Sequence, residues 1–496
     1  MKNINIFSKG DIDMQARYHD YTPDQTYFIQ ISPGEIRTHN PLVKAIDDFV
    51  DTHVSLSLFS EKRGNAYIGA PAVHAGMMLK VLFYCYAAGT YSSREIERRT
   101  GWDQNAIYLS GNRQVDHSTI CRFIEKYPVE LRHVFTLMVY VLRKMGLVSY
   151  ELVAIDGSKI QGYGSKEFTG NISEFRERKK SIEKKIDRLM KETCQSRDRI
   201  ERKIERCRCN LEKINSFLSD VDRSNAPEDT HTRVNLTDRD ARLVKDNGRI
   251  YLGYNCQTAA DADHDIIVGC QVTNNASERP QLVPMINEVK KHQMEPQPDM
   301  KIVADAGYFS SENIEYAEKH SIDLYLPEGK NEGGLQKKRK TAGRITSKDC
   351  VLTTDNGTKQ LLCPGGYTAQ TVDPVHDHGN YFYRFYVPTS YCQYCEKRNR
   401  CHRTFRPGKS KRFNVKREYC DSQLARQCMR EKLTKPEGKK IYNRRSCIIE
   451  HVFGEIKEYK KFRRFYHRGL EKVNTLWTLV CIAYNFRKLS RYGDTV

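Results

Sequence analysis

Apolar and polar positions follow three different patterns along the chain. Over residues 1–150, apolar residues recur at helical spacing, in segments such as PLVKAIDDFVDTHV and PAVHAGMMLKVLFYCYAAG. Over residues 151–172 and 231–328, short apolar runs bounded by turn residues indicate buried strands. Over residues 173–230, apolar residues recur every three or four positions within a background of Arg, Lys and Glu. The pattern predicts an all-α N-terminal region and an α/β core with a helical insertion.

The strand-like runs predict the fold class of the core. They are LVAID, RIYLGYNCQTAADADHDIIVGCQVTN, KIVADAG and SIDLYLP, and the second is long enough for two or three strands. The helical segments PQLVPMINEVKKH and ENIEYAEKH lie between the later runs. Strands that alternate with helices after an early antiparallel set predict a mixed sheet flanked by helices.

Two insertions interrupt this predicted core. The first, 173–230, has a heptad-like seam and ends in a polar linker, which predicts one long helix or a helical hairpin turning near residues 195–198. Its charge is most simply a solvated face, with a DNA-contacting arm or an oligomer contact as alternatives. The second, 329–436, combines a basic linker, short strands and a cysteine cluster. Residues 437–496 return to the core as basic helices.

The N-terminal region contains short helices separated by a turn. Residues 92–111 and 116–127 are helical on either side of a glycine, which is the pattern of a helix-turn-helix, and 118–127 would be the recognition helix. The alternative is an ordinary helical bundle that contacts no DNA. Residues 1–150 are therefore a candidate DNA-binding region.

The charge of the chain favours a polyanionic partner. The 496 residues include 82 Lys and Arg against 62 Asp and Glu, a net charge of +20. Residues 401–496 hold 25 basic and 9 acidic residues, so they carry a net +16. A concentrated basic surface indicates nucleic acid first, with a solvated surface or anionic lipid as the alternatives.

The apolar runs and cysteines indicate the cellular compartment. No run reaches the roughly 20 apolar residues that a membrane span requires. The N-terminus, MKNINIFSKGDID, has no apolar stretch suited to a signal peptide. We therefore expect a cytoplasmic protein without membrane contact, whose 16 cysteines serve as thiols or metal ligands.

Three acidic residues at the ends or within apolar segments are candidate metal ligands. Asp156 ends LVAID, Asp305 follows KIVA, and Glu450 lies in the helical segment CIIEHVFGEIK with Lys457 seven residues later. Each has an ordinary alternative, since a strand-end Asp is often a turn or cap residue and a helical Glu is often a surface acid. If the fold brings them together, three carboxylates make a site for hard divalent cations.

A second constellation consists of cysteines in the second insertion. Four thiolates with one CxxC pair are suited to tetrahedral Zn²⁺ in a small ribbon or knuckle, with His376 or His402 as substitutes for one of them. Reduced cysteines without metal are the alternative. The four candidate ligands of a structural zinc are Cys363, Cys392, Cys395 and Cys401.

These segments together resemble the DDE transposases of bacterial insertion sequences, in the group with a Tyr–Arg–Glu–Lys signature around the last acid. The resemblance covers most of the chain, and one spacing departs from it: four residues separate Arg445 from Glu450 where the signature has three. Arg444 could therefore take the arginine role, and Glu455 is the competing acid. The matching segments are DHSTICRF, VAIDGSKI, NLTDRDARL, GYNCQTAAD, VADAGYFS, EHVFGEIK and RRFYHRG.

The resemblance implies a ribonuclease-H-like core in which Asp156, Asp305 and Glu450 are catalytic and hold two Mg²⁺ or Mn²⁺ ions. In-line displacement at phosphorus would then need no covalent protein–DNA intermediate. The residues that would grip DNA phosphates are Tyr442, Arg445, Lys457, Arg463, Arg464 and Arg468.

The function that follows is a transposase with endonuclease and polynucleotidyl transferase activity. It would bind the terminal inverted repeats of its element, cut the DNA and join the ends to target DNA. Because two ends must be paired, we expect a homodimer on double-stranded DNA. The alternatives are a domesticated ribonuclease-H-like nuclease and a non-catalytic DNA-binding regulator.

Overall fold

The structure is a computed structural model that describes residues 32–493 except 61–72, 166–167, 192–196, 224–232, 247, 294–298, 330–344, 356–357, 372–373, 378–379, 402–407 and 410. The polar linker SNAPEDTHT, the basic linker KKRKTAGR and His402 therefore lie outside the described residues. None of the described helices has the length and apolar character of a membrane span.

All of the regular secondary structure described in the N-terminal region is helical, as the spacing of apolar residues predicts. Helix α4 is buried on nearly all faces, which is expected of a helix that is apolar all round. Helix α2 begins after Asn40, whose side chain accepts hydrogen bonds from the N–H groups of Leu42 and Val43. The helices are α1 (Pro33–His39), α2 (Pro41–His53), α3 (Ser57–Ser60), α4 (Ala75–Ala87), α5 (Ser93–Trp102), α6 (Gln104–Leu109), α7 (His117–Lys126) and α8 (Pro128–Lys144).

The predicted recognition helix corresponds to α7. Asp116 caps it, because its side chain accepts hydrogen bonds from the N–H groups of Ser118 and Thr119. Its inner face, with Ile120 and Phe123, is buried in the main core. DNA contact by the other face of this helix stays a prediction.

A six-stranded mixed sheet forms the centre of the protein. Strand β1 pairs with β5 in antiparallel orientation, and β5 pairs with β6 in the same way. On its other side β1 pairs with β7 in parallel, and β7 pairs in parallel with β8. Strand β4 lies beside β5. The strands are β1 (Leu152–Gln161), β4 (Arg242–Asp246), β5 (Arg249–Asp261), β6 (Ile267–Thr273), β7 (Lys301–Ala304) and β8 (Asp323–Tyr325).

Helices flank this sheet. Helix α11 (Leu282–Gln293) connects β6 to β7, and α12 (Ser311–Lys319) connects β7 to β8. An antiparallel set of three strands followed by two parallel strands with helical connections is the ribonuclease-H-like arrangement. The predicted fold class is therefore confirmed, and the long second run forms two strands of this sheet.

The C-terminal helix joins the N-terminal helices to the sheet. This helix, Leu470–Tyr492, packs against β6 on one side and against α2, α4 and α8 on the other. The side chain of Asn485 bonds the backbone of Ile267 twice, accepting from its N–H at 3.0 Å and donating to its carbonyl at 2.9 Å. One continuous apolar cluster therefore includes both the N-terminal helices and the sheet.

The first insertion is a helical hairpin rather than a single helix. Helices α9 (Ile172–Lys191) and α10 (Arg197–Arg223) pack along the predicted seam, with Leu189 beside Ile200 at one end. Phe175 packs near Leu218 at the other end, so the helices are antiparallel. The two-residue strands β2 (Thr169–Gly170) and β3 (Val234–Asn235) pair at the base of the hairpin.

The second insertion contains two small antiparallel sheets with an apolar cluster of their own. The cluster includes Leu361, Phe385 and Phe413, which are separate from the main core. The elements are β9 (Val351–Asp355), β10 (Thr358–Leu362), β11 (Thr368–Thr371), β12 (Val375–Asp377), β13 (Asn380–Val387), α13 (Thr389–Cys392), α14 (Arg398–Cys401) and β14 (Lys411–Lys416).

The C-terminal segment is helical, as predicted, but its winding changes several times. Two π-helical turns, Ser446–Glu450 and Glu455–Tyr459, flank a short α-helical turn. The sequence pattern predicts helix in this segment but gives no sign of the two π-helical turns. The α-helices are α15 (Arg417–Thr434), α16 (Pro436–Arg445), α17 (His451–Gly454) and α18 (Leu470–Tyr492).

Candidate active site

Asp156 and Asp305 lie side by side because their strands are parallel neighbours. In the register of β1 and β7, Ile155 pairs with Ala304, so the aspartates occupy the next position on each strand. The two aspartates are 149 residues apart in the sequence, and the pairing of β1 with β7 brings them next to each other. The sequence pattern offered both aspartates as candidates, and the resemblance to DDE transposases implied that they lie together.

Each aspartate also bonds the backbone next to it. The Oδ1 atom of Asp156 accepts a hydrogen bond from the N–H of Gly157 at 2.7 Å. The Oδ1 atom of Asp305 accepts one from the N–H of Gly307, also at 2.7 Å, and so caps the short 3₁₀ turn Ala306–Tyr308. Asp305 therefore has the ordinary capping role of a strand-end aspartate and also lies beside Asp156.

The electrostatic environment of Asp156 is unfavourable for a charged carboxylate. Its side chain is only 17% exposed, and burial raises its pKa to about 7, with the charge of Asp305 adding to the rise. Glu278 acts in the same direction, while Arg445 and the N–H of Gly157 oppose it. Buried neighbouring carboxylates with a strongly shifted pKa are typical of functional sites.

The guanidinium of Arg445 connects two of the predicted acids. Its Nη1 atom is 3.1 Å from Oδ2 of Asp156, and its Nη2 atom is 3.4 Å from Oε1 of Glu450. Tyr442 is a hydrogen-bond partner of the same guanidinium. Arg444, the alternative, is exposed on the outside of the helix. Arg445 is thus the arginine that the fold directs toward the acids.

The π-helical turn Ser446–Glu450 explains how Arg445 reaches Glu450. In an α-helix, residues four apart lie above one another, whereas a π turn brings residues five apart into that relation. Arg445 and Glu450 are five apart. The additional residue, which departs from the spacing of the Tyr–Arg–Glu–Lys signature, is therefore accommodated by the wider turn.

Glu450 lies at the edge of the site rather than inside it. Its side chain is 63% exposed, and its carboxylate contacts Arg445. Among the described residues, the three predicted acids do not form a group whose ligand atoms all lie within 4.8 Å of one another. Asp156 and Asp305 are thus adjacent, and Glu450 reaches Asp156 through the arginine.

Lys457 and Glu455 point in different directions. The Nζ atom of Lys457 donates to Oγ of Ser158 at 3.1 Å, two residues beyond Asp156, and lies 3.4 Å from a carboxylate oxygen of Asp246. Glu455 is paired with Arg487 at 2.7 Å on another face. The competing acid is therefore not among the side chains around Asp156.

The predicted DNA-gripping arginines lie just beyond the end of β1. The backbone of Arg464 forms a parallel bridge with Gln161, the last residue of that strand. The guanidinium groups of Arg464 and Arg468 lie 4.7 and 4.9 Å from the centre of the Tyr163 ring. Arg463 is 58% exposed and contacts Glu458. All three arginines therefore belong to a C-terminal segment that runs beside the end of β1.

Glu278 is an acid near the site that sequence reasoning missed. It stands between β6 and α11, and its carboxylate accepts a hydrogen bond from Lys159 on β1. Its charge acts on both Asp156 and Tyr308. An acid just before a helix is usually a capping residue, so the segment NNASERP contains no signal that distinguishes it. Its contact with Lys159 on β1, which the sequence pattern does not reveal, is what brings it near Asp156.

The four predicted zinc ligands line one small cavity in the second insertion. Cys363 and Cys392 are buried, and Gly365 lies so close that a Cβ atom there would be 2.7 Å from the sulfur of Cys395. Within the described chain, no three of these sulfurs lie within 4.8 Å of one another. The four thiols therefore line the same cavity, but their sulfurs are too far apart to be tetrahedral ligands of one ion.

Two further residues bear on the cysteine cluster. Cys350 lies near Cys363 and Cys401, whose charges act on its thiol. His376, a proposed substitute ligand, is exposed on β12 and packs against Tyr381. It does not line the cavity. No disulfide joins any two cysteines among the described residues.

The N-terminal region contains a different polar group that was not predicted. The ligand atoms of Glu97, Asp116 and His117 lie within 4.8 Å of one another. The Nδ1 atom of His117 is 2.9 Å from Glu97. These contacts link α5 to the start of α7 and thereby hold the two helices of the helix-turn-helix-like segment together.

Comparison with known proteins supplies two family matches. Residues 32–126 match a transposase domain family, DUF772, and this range includes most of the helix-turn-helix-like segment. Residues 362–490 match a transposase DDE domain family, and this range includes Glu450 and the basic segment after it. No curated protein sequence matches the chain significantly.

A solved structure with some likeness is the cryo-EM structure of the piggyBac transposase synaptic complex with hairpin DNA. The TM-score is 0.30 at 10% identity, over 93% of this chain and 76% of that chain, which is too low to support any inference. The family matches at both ends of the chain accord with the ribonuclease-H-like sheet between them. These two matches support a DDE transposase of an insertion sequence.

Proposed function

We propose that the protein binds the terminal inverted repeats of an insertion sequence and catalyses divalent-metal-dependent DNA cleavage and strand transfer. The observation that carries the proposal is the pair Asp156 and Asp305 at adjacent parallel strand positions, with Arg445 and Glu450 on the helix that crosses them. The excess of basic residues near the C-terminus supports DNA as the partner.

The residues around Asp156 are suited to divalent cations. Asp156 and Asp305 are two crowded carboxylates, and their repulsion would be relieved by a cation with oxygen preference. Glu450 would join them by exchanging its contact with Arg445 for the cation. Two Mg²⁺ or Mn²⁺ ions bound by these acids would activate the attacking oxygen and stabilise the leaving oxygen.

The basic residues of the C-terminal segment would hold the DNA. Arg445, released from the acids when cations bind, is placed to contact the phosphate at the cut, with Tyr442 orienting its guanidinium. Lys457 would contact the next phosphate from beside Ser158. Arg463 and Arg464 would extend the contact along the backbone of the DNA. We further propose a homodimer on DNA, acting in the cytoplasm.

We also propose a structural zinc ion in the second insertion, held by Cys363, Cys392, Cys395 and Cys401. Four thiols around one cavity are the donor set that Zn²⁺ prefers. Binding would require the sulfurs to move toward one another. The zinc would stabilise the insertion and take no part in catalysis.

The test is a reaction of the purified chain with DNA that carries the ends of its element. Cleavage at the ends and joining to a target plasmid are expected with Mg²⁺ or Mn²⁺ and are lost without them. Cleavage without joining would instead indicate a nuclease, and binding without cleavage would indicate a regulator. If the Glu450→Gln variant cut and joined DNA at the wild-type rate, Glu450 would not be a catalytic acid.

Arg445 and Arg444 form a matched pair for a second test. We expect Arg445→Gln to reduce the cleavage rate by about 100-fold, the usual loss when one group that stabilises transition-state charge is removed. Arg444→Gln removes the same charge from the outer face and should leave the rate nearly unchanged. Rates are measured on pre-bound DNA, so that weaker DNA binding does not obscure the result. Equal rates for the two variants would contradict the assignment of Arg445.

A further inference from the structure

Glu278 occupies a position that the catalytic triad does not account for. Its side chain is 17% exposed, and one carboxylate oxygen accepts a hydrogen bond from Lys159. The other oxygen, Oε2, contacts the point where a Cβ atom of residue 307 would stand. Oδ1 of Asp305 is 2.9 Å from the same point. Oxygens from two carboxylates therefore converge beside Gly307.

The glycine at position 307 keeps this place open. Any side chain there would collide with Glu278 and push the two carboxylates apart. Gly307 has no positive φ angle, so the turn itself would accept another residue. The glycine therefore lets the Glu278 carboxylate lie beside Asp305, whereas a larger residue would shift that flexible side chain aside.

A second observation comes from buried amides on the neighbouring strand. Gln257 and Asn255 are almost completely buried on β5, opposite Gly157 and Lys159. The Nε2 atom of Gln257 and the Oδ1 atom of Asn255 have no hydrogen-bond partner, and both lie close to the point where a Cβ atom of residue 157 would stand, the Oδ1 atom at 2.8 Å from it. Buried polar atoms without partners are costly, and their usual partner is a bound ligand or water.

Gln257 also connects this space to the acids. Its Oε1 atom accepts a hydrogen bond from the hydroxyl of Tyr308, and the charges of Asp156, Glu278 and Asp305 all act on that tyrosine. The three carboxylates therefore all lie near the buried hydroxyl of Tyr308. A water molecule on a bound cation could accept from the unpartnered Nε2 atom of Gln257.

The acids of the site outnumber the basic side chains that contact them. The four carboxylates are Asp156, Asp305, Glu450 and Glu278, and the side chains that contact them include one lysine and one arginine. Lys159 pairs with Glu278, while Arg445 pairs with Asp156 and Glu450. A divalent ion would therefore have to displace these pairings in order to bind the same carboxylates.

We propose that Glu278 is a fourth acidic ligand of the metal site, which binds a divalent cation together with Asp305 and gives up Lys159 when the cation enters. This inference rests on the proposed function, since it assumes the metal site formed by Asp156 and Asp305. Lys159, once released, faces the site as a contact for a phosphate group.

Titration of the full chain with Mn²⁺, followed by calorimetry and by the electron paramagnetic resonance of unbound Mn²⁺, tests the proposal without DNA. Glu278→Gln should weaken binding at least about tenfold, the loss seen even for outer partners of metal ligands. Lys159→Gln should strengthen it, because the competing cation is gone. Glu318→Gln, which removes an exposed acid from α12, is the control and should change nothing.

Glu278→Gln should lower the Mn²⁺ affinity and Lys159→Gln should raise it, and these opposite changes distinguish a metal ligand from a structural ion pair. If Glu278 only pairs with Lys159, both variants lower thermal stability and neither changes Mn²⁺ affinity, and the inference is wrong. Glu278→Asp keeps the charge but shortens the side chain, so it should fold normally and bind Mn²⁺ less tightly than the wild type.

Asp156→Asn separates this inference from the proposed function. If Asp156→Asn loses Mn²⁺ binding while Glu278→Gln binds like the wild type, only the role of Glu278 fails. If Asp156→Asn also binds like the wild type, the metal site itself is wrong.

Discussion

The Asp156→Asn variant should unfold at a higher temperature than the wild type in metal-free buffer at pH 8, while losing metal-dependent DNA cleavage. Asp156 is buried next to Asp305, and burial raises its pKa to about 7 in the folded protein. At pH 8 the folded wild type must therefore keep an unfavourable charge. Asparagine has a similar shape and carries no charge, so it removes this cost.

The pH dependence gives the sign of the effect. In the unfolded chain an Asp loses its proton near pH 4, whereas folded Asp156 keeps it up to about pH 7. Between these values the folded state binds more protons, so the stability of the wild type falls as pH rises. The advantage of Asp156→Asn should be absent below pH 4, grow between pH 4 and 7, and level off at about 2 to 4 kcal/mol.

Thermal unfolding at several pH values, with and without Mg²⁺, measures both parts of this prediction. Added Mg²⁺ should stabilise the wild type more than the variant, since a ligand that binds only the folded state raises its stability. Asp299→Asn, which changes an exposed residue in the turn before β7, is the control. A variant that is less stable than the wild type at pH 8 without metal would contradict the proposed environment of Asp156.

Local patterns predicted the strands of the sheet and offered the two aspartates as candidates, while the resemblance implied that they meet. Apolar runs of strand length recurred between helical segments, and two of them ended in Asp followed by small residues. Parallel neighbouring strands then bring such residues together. The pairing of β1 with β7 required no information beyond the order of the elements and the usual topology of this fold.

The surroundings of that pair could not be predicted in the same way. Glu278 lies near Asp156 because its carboxylate accepts a hydrogen bond from Lys159 on β1. The contact of Arg445 with Glu450 depends on a π turn. Helical periodicity assumes regular winding, so it gives no sign of a π turn between Arg445 and Glu450. In the structure Glu450 contacts Arg445, while Lys457 contacts Ser158.

The N-terminal helices show a further limit of sequence patterns. Their spacing predicted a helical region, and the predicted segments are helical, although residues 92–111 form two helices, α5 and α6. Their apolar faces, however, belong to the same cluster as the sheet, joined by α18 from the far end of the chain. A contact between residues some 400 positions apart, such as Phe83 with Phe486, has no local signal.

The second large effect expected is the loss of structure in the second insertion when zinc is removed. Its apolar cluster is small and separate from the main core, so it offers little burial to hold six short strands. Structural zinc in small domains contributes binding free energies of about 10 to 16 kcal/mol. We therefore expect the insertion to depend on the metal for folding, and the central sheet to be independent of it.

Metal analysis and hydrogen exchange test this expectation on the full chain. The purified protein should contain one zinc per chain, and both Cys395→Ser and a strong chelator should remove it. Amide exchange should then accelerate in β9–β14 and stay slow in β1 and β5–β8, because the sheet has its own core. Cys428→Ser, which replaces an exposed thiol on α15, should keep the zinc. Protein without zinc and with slow exchange in β9–β14 would show that the four thiols are not ligands.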